Sequence, residues 1–247
     1  MRSFLLGLVA LLATGLGAGP AALARPCQEP ARELPPPLTE YMGRPVAQTM
    51  HWSGAEWLER DTREHEERTS QMLMALELRA GMSVCDLGCG VGTIALPMAK
   101  LVLPEGRVLA VDIQPEMLAG LEKAAAEAGI TNIVRVLGEP ADPKLAPESC
   151  DRIVMVDVYH ELGYPEQVLR AARKALEPEG LLVLVEFRAE DPEVPIKPEH
   201  KMTRAQVERE LAANGFRLHH AFTELPWQHM LFFERDDAPR AEPATPR

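Results

Sequence analysis

Ten residues, Val84 to Thr93 (VCDLGCGVGT), constrain this chain more than any others. An apolar run from Met82 to Leu87 has the character of a buried strand. It passes into Gly88, Gly90 and Gly92 at alternate positions, after which an apolar helical pattern runs from Ile94 to Leu101. That is a strand, a tight turn and a helix start. Glycines in such a turn permit positive φ and let a ligand reach the main chain, while the unpaired N–H groups of the helix start face that ligand. Asp86 stands two residues before the first glycine, at the strand end. A carboxylate there repels a pyrophosphate and attracts a cationic, nucleotide-like ligand.

The remaining pattern repeats the alternation of strand and helix. Arg107 to Val111 is a strand ending at Asp112, and Asp112-Ile113-Gln114-Pro115-Glu116-Met117-Leu118 opens a helix that continues to Ala128. An acid at that point of a doubly wound sheet accepts hydrogen bonds from ribose hydroxyls. Asn132 to Leu137 is a third strand, followed by a loop carrying Glu139 and Asp142. Cys150 to Val156 is a continuous apolar run, as for a parallel strand covered on both faces, and it leads into Asp157-Val158-Tyr159-His160-Glu161. A helix follows from Pro165 to Leu176 with Gly180 as its stop, then a strand from Leu181 to Phe187, a helix from Thr203 to Asn214, and closing strands at Phe216–Phe222 and His229–Phe233. The fold class is α/β: a doubly wound, mostly parallel sheet with helices on both faces.

The D-x-G-x-G-x-G motif, with Asp112 at its distance of 26 residues from Asp86, resembles the first motif and ribose acid of class I S-adenosylmethionine (SAM) dependent methyltransferases. The resemblance covers about Ser70 to Glu234. The segments W-L-E-R, D-I-Q-P-E-M-L, V-D-V-Y-H-E, P-I-K-P and L-P-W-Q-H are similar to a bacterial group of exported or uncharacterised methyltransferases. It implies seven strands with an antiparallel last one, SAM as cofactor and a small-molecule methyl acceptor. It also implies cofactor contacts from Asp86, Gly88, Gly90, Gly92, Asp112, Ile113 and Asp157, with Glu139 or Asp142 supplying an acid at the adenine. The fourth core strand ends beside the cofactor's methionine half in this family, which makes His160 the first candidate for general base, with Tyr159 and Glu161 beside it. Tyr159 packs against the methyl or against the next helix, and Glu186 and Arg188 serve either the substrate or a salt bridge to the following loop.

Upstream, Arg2, an apolar stretch from about Phe4 to Leu16, and Ala22-Leu23-Ala24 have the form of a secretory signal over residues 1–24. Export to the periplasm or beyond is the expectation, with an uncleaved membrane anchor as the alternative. Residues 25–54 form an extended arm, 55–235 the methyltransferase domain with a helical cap over 55–80, and 236–247 a polar, disordered tail. Residues 55–68 read as one charged helix with Glu59–Arg63 and Glu64–Arg68 pairs on a solvated face. The alternative is a lid in which Trp52, Trp57, His65 and Glu66 cover the pocket. With 26 basic and 37 acidic residues the net charge is −11, which disfavours nucleic-acid partners. Cys85 and Cys89 read as small buried residues. His160, His200 and His229 have no metal-motif spacing, so no metal is expected. An inactive SAM-binding sensor or scaffold and a nicotinamide-dependent oxidoreductase are the competing classes, and Asp86 disfavours the latter. The sequence does not indicate an oligomeric state.

Overall fold

The computed structural model describes residues 34–238; the signal expected over 1–24, the arm up to residue 33 and the tail from 239 lie outside the described residues. A two-residue ribbon, β1 (Glu40–Tyr41) with β2 (Arg44–Pro45), precedes a 3-10 segment at Trp52–Glu59 and two short helices, α1 (Arg63–Glu67) and α2 (Thr69–Ala75). Then come β3 (Ser83–Leu87), α3 (Ala95–Leu101), β4 (Arg107–Asp112), α4 (Pro115–Glu127), β5 (Ile133–Leu137), β6 (Cys150–Val156), α5 (Pro165–Ala175) and β7 (Leu176–Arg188). The chain closes with β8 (Lys201–Met202), α6 (Arg204–Ala213), β9 (Phe216–Phe222) and β10 (Gln228–Arg235).

The sheet runs β5-β4-β3-β6-β7-β10-β9, with β8 a short parallel addition to β7. The order reverses between β3 and β6, so a crevice opens at their carboxyl ends, where ligands bind in sheets of this kind. β10 is antiparallel to both of its neighbours, as expected for the last strand, and it is inserted between β7 and β9.

Alternate residues of each central strand go to opposite layers, because strand side chains have a period of two. Val84, Val183 and Val185 face the layer of α2, α3 and α4, packing with Leu76, Met98 and Leu121. Cys85, Leu182 and Leu184 face α5 and α6, packing with Leu169, Val207 and Leu211. Each such aliphatic side chain contributes about 1.5–3 kcal/mol when removed from water. Cys85, Cys89 and Cys150 are buried free thiols, the first two in keeping with their reading as small buried residues.

Three boundaries differ from the sequence expectation. The compact unit begins at Pro37 rather than at residue 55, because Tyr41 and Ala47 are buried and Arg44 pairs with the buried Glu210 of α6 at 2.8 Å. Residues 55–68 are not one solvated helix. Arg60 and Arg63 turn inward to Glu67, the chain breaks between Glu59 and Arg63, and Arg68 takes φ 49° to reverse into α2. Finally, α5 ends at Ala175 and Gly180 lies inside β7, which begins early because Leu176 already pairs with Cys150.

Candidate active site

A cavity of about 760 Å³ opens at the crevice. Its floor is the glycine turn. Gly88 has φ 82°, and a Cβ there would lie 2.5 Å from Val158 Cγ2. The amides of Gly88 and Cys89 donate to the carbonyl of Val111 at 2.8 and 3.0 Å, which ties the turn to β4. Asp112 completes the tie, accepting from the Gly90 amide at 3.0 Å through Oδ2 and from the Gln114 amide at 2.9 Å through Oδ1. The turn and Asp112 are therefore one hydrogen-bonded unit on the cavity wall, with Gly88, Gly90, Asp112 and Ile113 all lining it. Gly92 serves helix packing, since a Cβ there would meet Leu121 at 2.3 Å.

Asp86 is a correction to the sequence reading. It lies beneath the turn, only 2% exposed and off the cavity wall, with Oδ2 buried and unpartnered. Burial, and then the neighbouring Asp112, push its carboxyl up to about 7. Of the two acids offered for the next loop, Glu139 lines the cavity and Asp142 does not; the Lys144 ammonium lies 3.0 Å from a carboxylate oxygen of each, and Asp142 also accepts from the Lys144 amide at 2.8 Å.

Asp157 follows β6 at φ 56° and lines the cavity. Its Oδ2 accepts from Gln228 Nε2 at 2.8 Å, whereas Oδ1 is buried without a partner. Burial, with Glu67 and Glu186 nearby, holds its carboxyl well above the usual range.

The next turn, Tyr159–Glu161, splits the three expected catalytic residues. Tyr159 is fully buried away from the cavity and donates its hydroxyl to Glu210 Oε2 at 2.7 Å; it packs against α6, so the catalytic reading of this residue fails. His160 and Glu161 do face the cavity. His160 Nδ1 lies 2.6 Å from Glu186 Oε2, and Glu186 is itself fixed by the Tyr159 amide at 2.9 Å. Burial pulls the His160 imidazole down, but Glu186, with Glu161 and Asp157 beside it, outweighs this and the net shift is upward. Burial pushes Glu161 up to about 7. His200 comes into contact, its Nδ1 3.0 Å from His160 Nε2. His229 stays outside, bound to Glu190 at 2.8 Å, and Arg188 is spent on the carbonyls of Leu225, Pro226 and Gln228.

A family profile described as a methyltransferase domain matches residues 78–231, more than half of the chain. The chain belongs to that methyltransferase domain family. Nocamycin O-methyltransferase of Saccharothrix syringae is 34% identical over 116 residues, 46% of this chain and 41% of that protein. The match spans 33% to 44% of the length of the first curated relatives. Among solved structures, a SAM-dependent methyltransferase from Aquifex aeolicus superposes with a TM-score of 0.70 at 23% identity, covering 75% of this chain and 98% of that one. Magnesium protoporphyrin IX methyltransferase from Synechocystis PCC 6803, solved with bound SAM, superposes at 0.51 and 20% identity, covering 77% and 87%. These likenesses share the fold.

The roof of this methyltransferase domain comes from upstream of the matched region. Gln48 to His51, Trp57, Leu58, Arg60 and Arg63 line the outer wall, and Leu58 Cδ1 sits over Gly90. Of the residues expected in a lid, Trp57 lines the cavity, while Trp52, His65 and Glu66 are off its wall. Gln114 clamps the roof: its Oε1 accepts from the Trp52 amide at 2.8 Å and its Nε2 donates to the Met50 carbonyl at 2.9 Å. Gln114 was visible in the sequence only as the residue before a helix-starting proline. No local signal marked it, or the Arg44–Glu210–Tyr159 network that fixes the turn bearing His160.

Proposed function

We propose that this chain is a SAM-dependent methyltransferase acting on a small-molecule acceptor. The observation that carries the reading is Asp157: a buried carboxylate oxygen without a partner on the wall of a cavity floored by the glycine turn. A cationic amino group satisfies such an oxygen, and burial of an uncompensated carboxylate is unfavourable without one. Asp112 would take the ribose hydroxyls, the main chain at Gly88 and Gly90 would pack against the cofactor, and Ile113 and Glu139 would border its adenine. When bound, SAM supplies an electrophilic methyl on a sulfonium, which an acceptor lone pair takes in line.

The chain's own task is then to align the acceptor and exclude water. The roof over 48–60 does the second. For the first, His160, Glu161 and His200 face the cavity beyond Asp157, the end left for the acceptor. An O–H or N–H acceptor must also shed a proton there. The cavity volume falls within the range of small-molecule sites, and the acidic chain disfavours a nucleic acid. The nocamycin relative is by name an O-methyltransferase, which agrees with a hydroxyl-bearing acceptor.

The test is calorimetry with SAM and with S-adenosylhomocysteine, its demethylated product. Both should bind with one site per chain, NAD should give no heat, and Asp157→Asn should weaken both by about tenfold, the loss of one charge-assisted hydrogen bond. Unchanged affinity in a well-folded Asp157→Asn protein would remove Asp157 from the site, and absence of heat from either compound would remove the cofactor.

A further inference from the structure

We propose that His160, Glu161 and His200 form a divalent-metal site in the acceptor half of the cavity. Its placement there rests on the cofactor reading above, whereas the binding of the ion does not. Two separate turns, Tyr159–Glu161 and Pro198–His200, bring the three side chains together from forty residues apart. His160 Nε2, His200 Nδ1 and Glu161 Oε1 form a triangle with sides of 3.0, 3.8 and 3.8 Å. The circle through its corners has a radius of about 2.1 Å, so an ion near its centre lies at the usual metal distance from all three atoms at once.

The protons are arranged to suit. Glu186 accepts from His160 Nδ1 at 2.6 Å, so Nδ1 carries a proton and Nε2 is left to present a lone pair toward His200. A carboxylate behind a ligating imidazole is the usual support of a histidine metal ligand. The second oxygen of Glu186 is anchored by the Tyr159 amide, so this support cannot swing away. With a lone pair on His160 Nε2, the 3.0 Å contact uses the His200 Nδ1–H tautomer when no ion is present, and an ion takes the other neutral tautomer, with the proton on His200 Nε2.

Two histidines and one carboxylate suit Zn²⁺, and equally Fe²⁺ or Mn²⁺ with open positions. All three ligands line the cavity, so the open side faces the acceptor. That selects acceptors bearing an oxygen donor, such as a phenol, an enol or a carboxylate, held by the ion next to the site of methyl transfer. His160 then acts as a ligand instead of a base.

The test uses the full chain, stripped with a chelator and titrated with Zn²⁺ by calorimetry and with Co²⁺ by visible absorption. One ion per chain is expected, with the intense ligand-field bands of low-coordinate Co²⁺. His200→Ala and Glu161→Gln should each weaken Zn²⁺ binding by about a hundredfold, and Glu186→Gln by about tenfold or more. His200 is partly exposed, so its alanine variant keeps the fold, which a melting curve verifies. Zn²⁺ binding that survives His200→Ala and Glu161→Gln but is lost in His219→Ala/His220→Ala would overturn the site. S-adenosylhomocysteine affinity measured on the same samples separates the two ideas: product binding without metal binding sinks only the metal site, and metal binding without product binding sinks only the cofactor reading.

Discussion

Replacing Asp86 with asparagine should change how stability responds to pH. Its Oδ2 has no hydrogen-bond partner, so asparagine forfeits none there. In the folded protein the carboxyl titrates at about 7, against an ordinary value of 3.8. Between those values the folded state binds more protons than the unfolded one, so unfolding free energy falls as pH rises and levels off above the folded value. A gap of about three pH units corresponds to roughly 4 kcal/mol, an upper figure for a site this buried. Asp86→Asn has no such component. Guanidinium unfolding of both proteins at about pH 5 and about pH 8, read from midpoints at constant slope, isolates it, because the other buried acids are common to both. About two of those units lie between pH 5 and pH 8, so the variant should gain on the wild type by at most about 2–3 kcal/mol across that interval. If the two pH profiles run parallel, Asp86 is ionised throughout and the account of its burial is wrong.

Tyr159→Phe should lower stability by about 1–2 kcal/mol, the loss of a buried donor to Glu210, while leaving S-adenosylhomocysteine affinity unchanged. A large loss of affinity with no shift in melting would restore the residue to the site. Gly88→Ala places a Cβ at φ 82° and against Val158, so it should destabilise by about 2 kcal/mol or more and abolish cofactor binding. Adding Val158→Ala should recover the packing part of that loss and not the backbone part. Gln114→Ala removes both hydrogen bonds of the roof clamp, and S-adenosylhomocysteine should dissociate about fivefold to tenfold faster, as stopped-flow displacement would show. Faster amide exchange at Met50 to Leu58 should accompany it.

What was legible in the sequence was whatever is local. The alternation of apolar runs and helical patterns placed β3 to β7 and the helices between them, because period and turn chemistry act over a few residues. Gly88, Gly90 and Asp112 were visible for the same reason. Asp86 was seen but misplaced: an acid at a strand end reads the same whether its side chain points into a crevice or beneath a turn. For Tyr159 the sequence leaves packing on the methyl and packing on a helix both open beside the base candidate His160, and only the path of the 3-10 turn shows that one faces α6 and the other the cavity. The roof escaped because Arg60 and Arg63 are charged residues in a charged stretch. Their burial against Glu67 depends on a chain reversal at Arg68 that no composition signals.

The region shared with the family, residues 78–231, holds the floor of the cavity but not its cover. Polypeptides sharing that region inherit a place for the cofactor and the wall bearing His160, Glu161 and His200, whereas the cover over it depends on what precedes residue 78. The cover over 48–67 can therefore change while the sheet beneath it stays as it is.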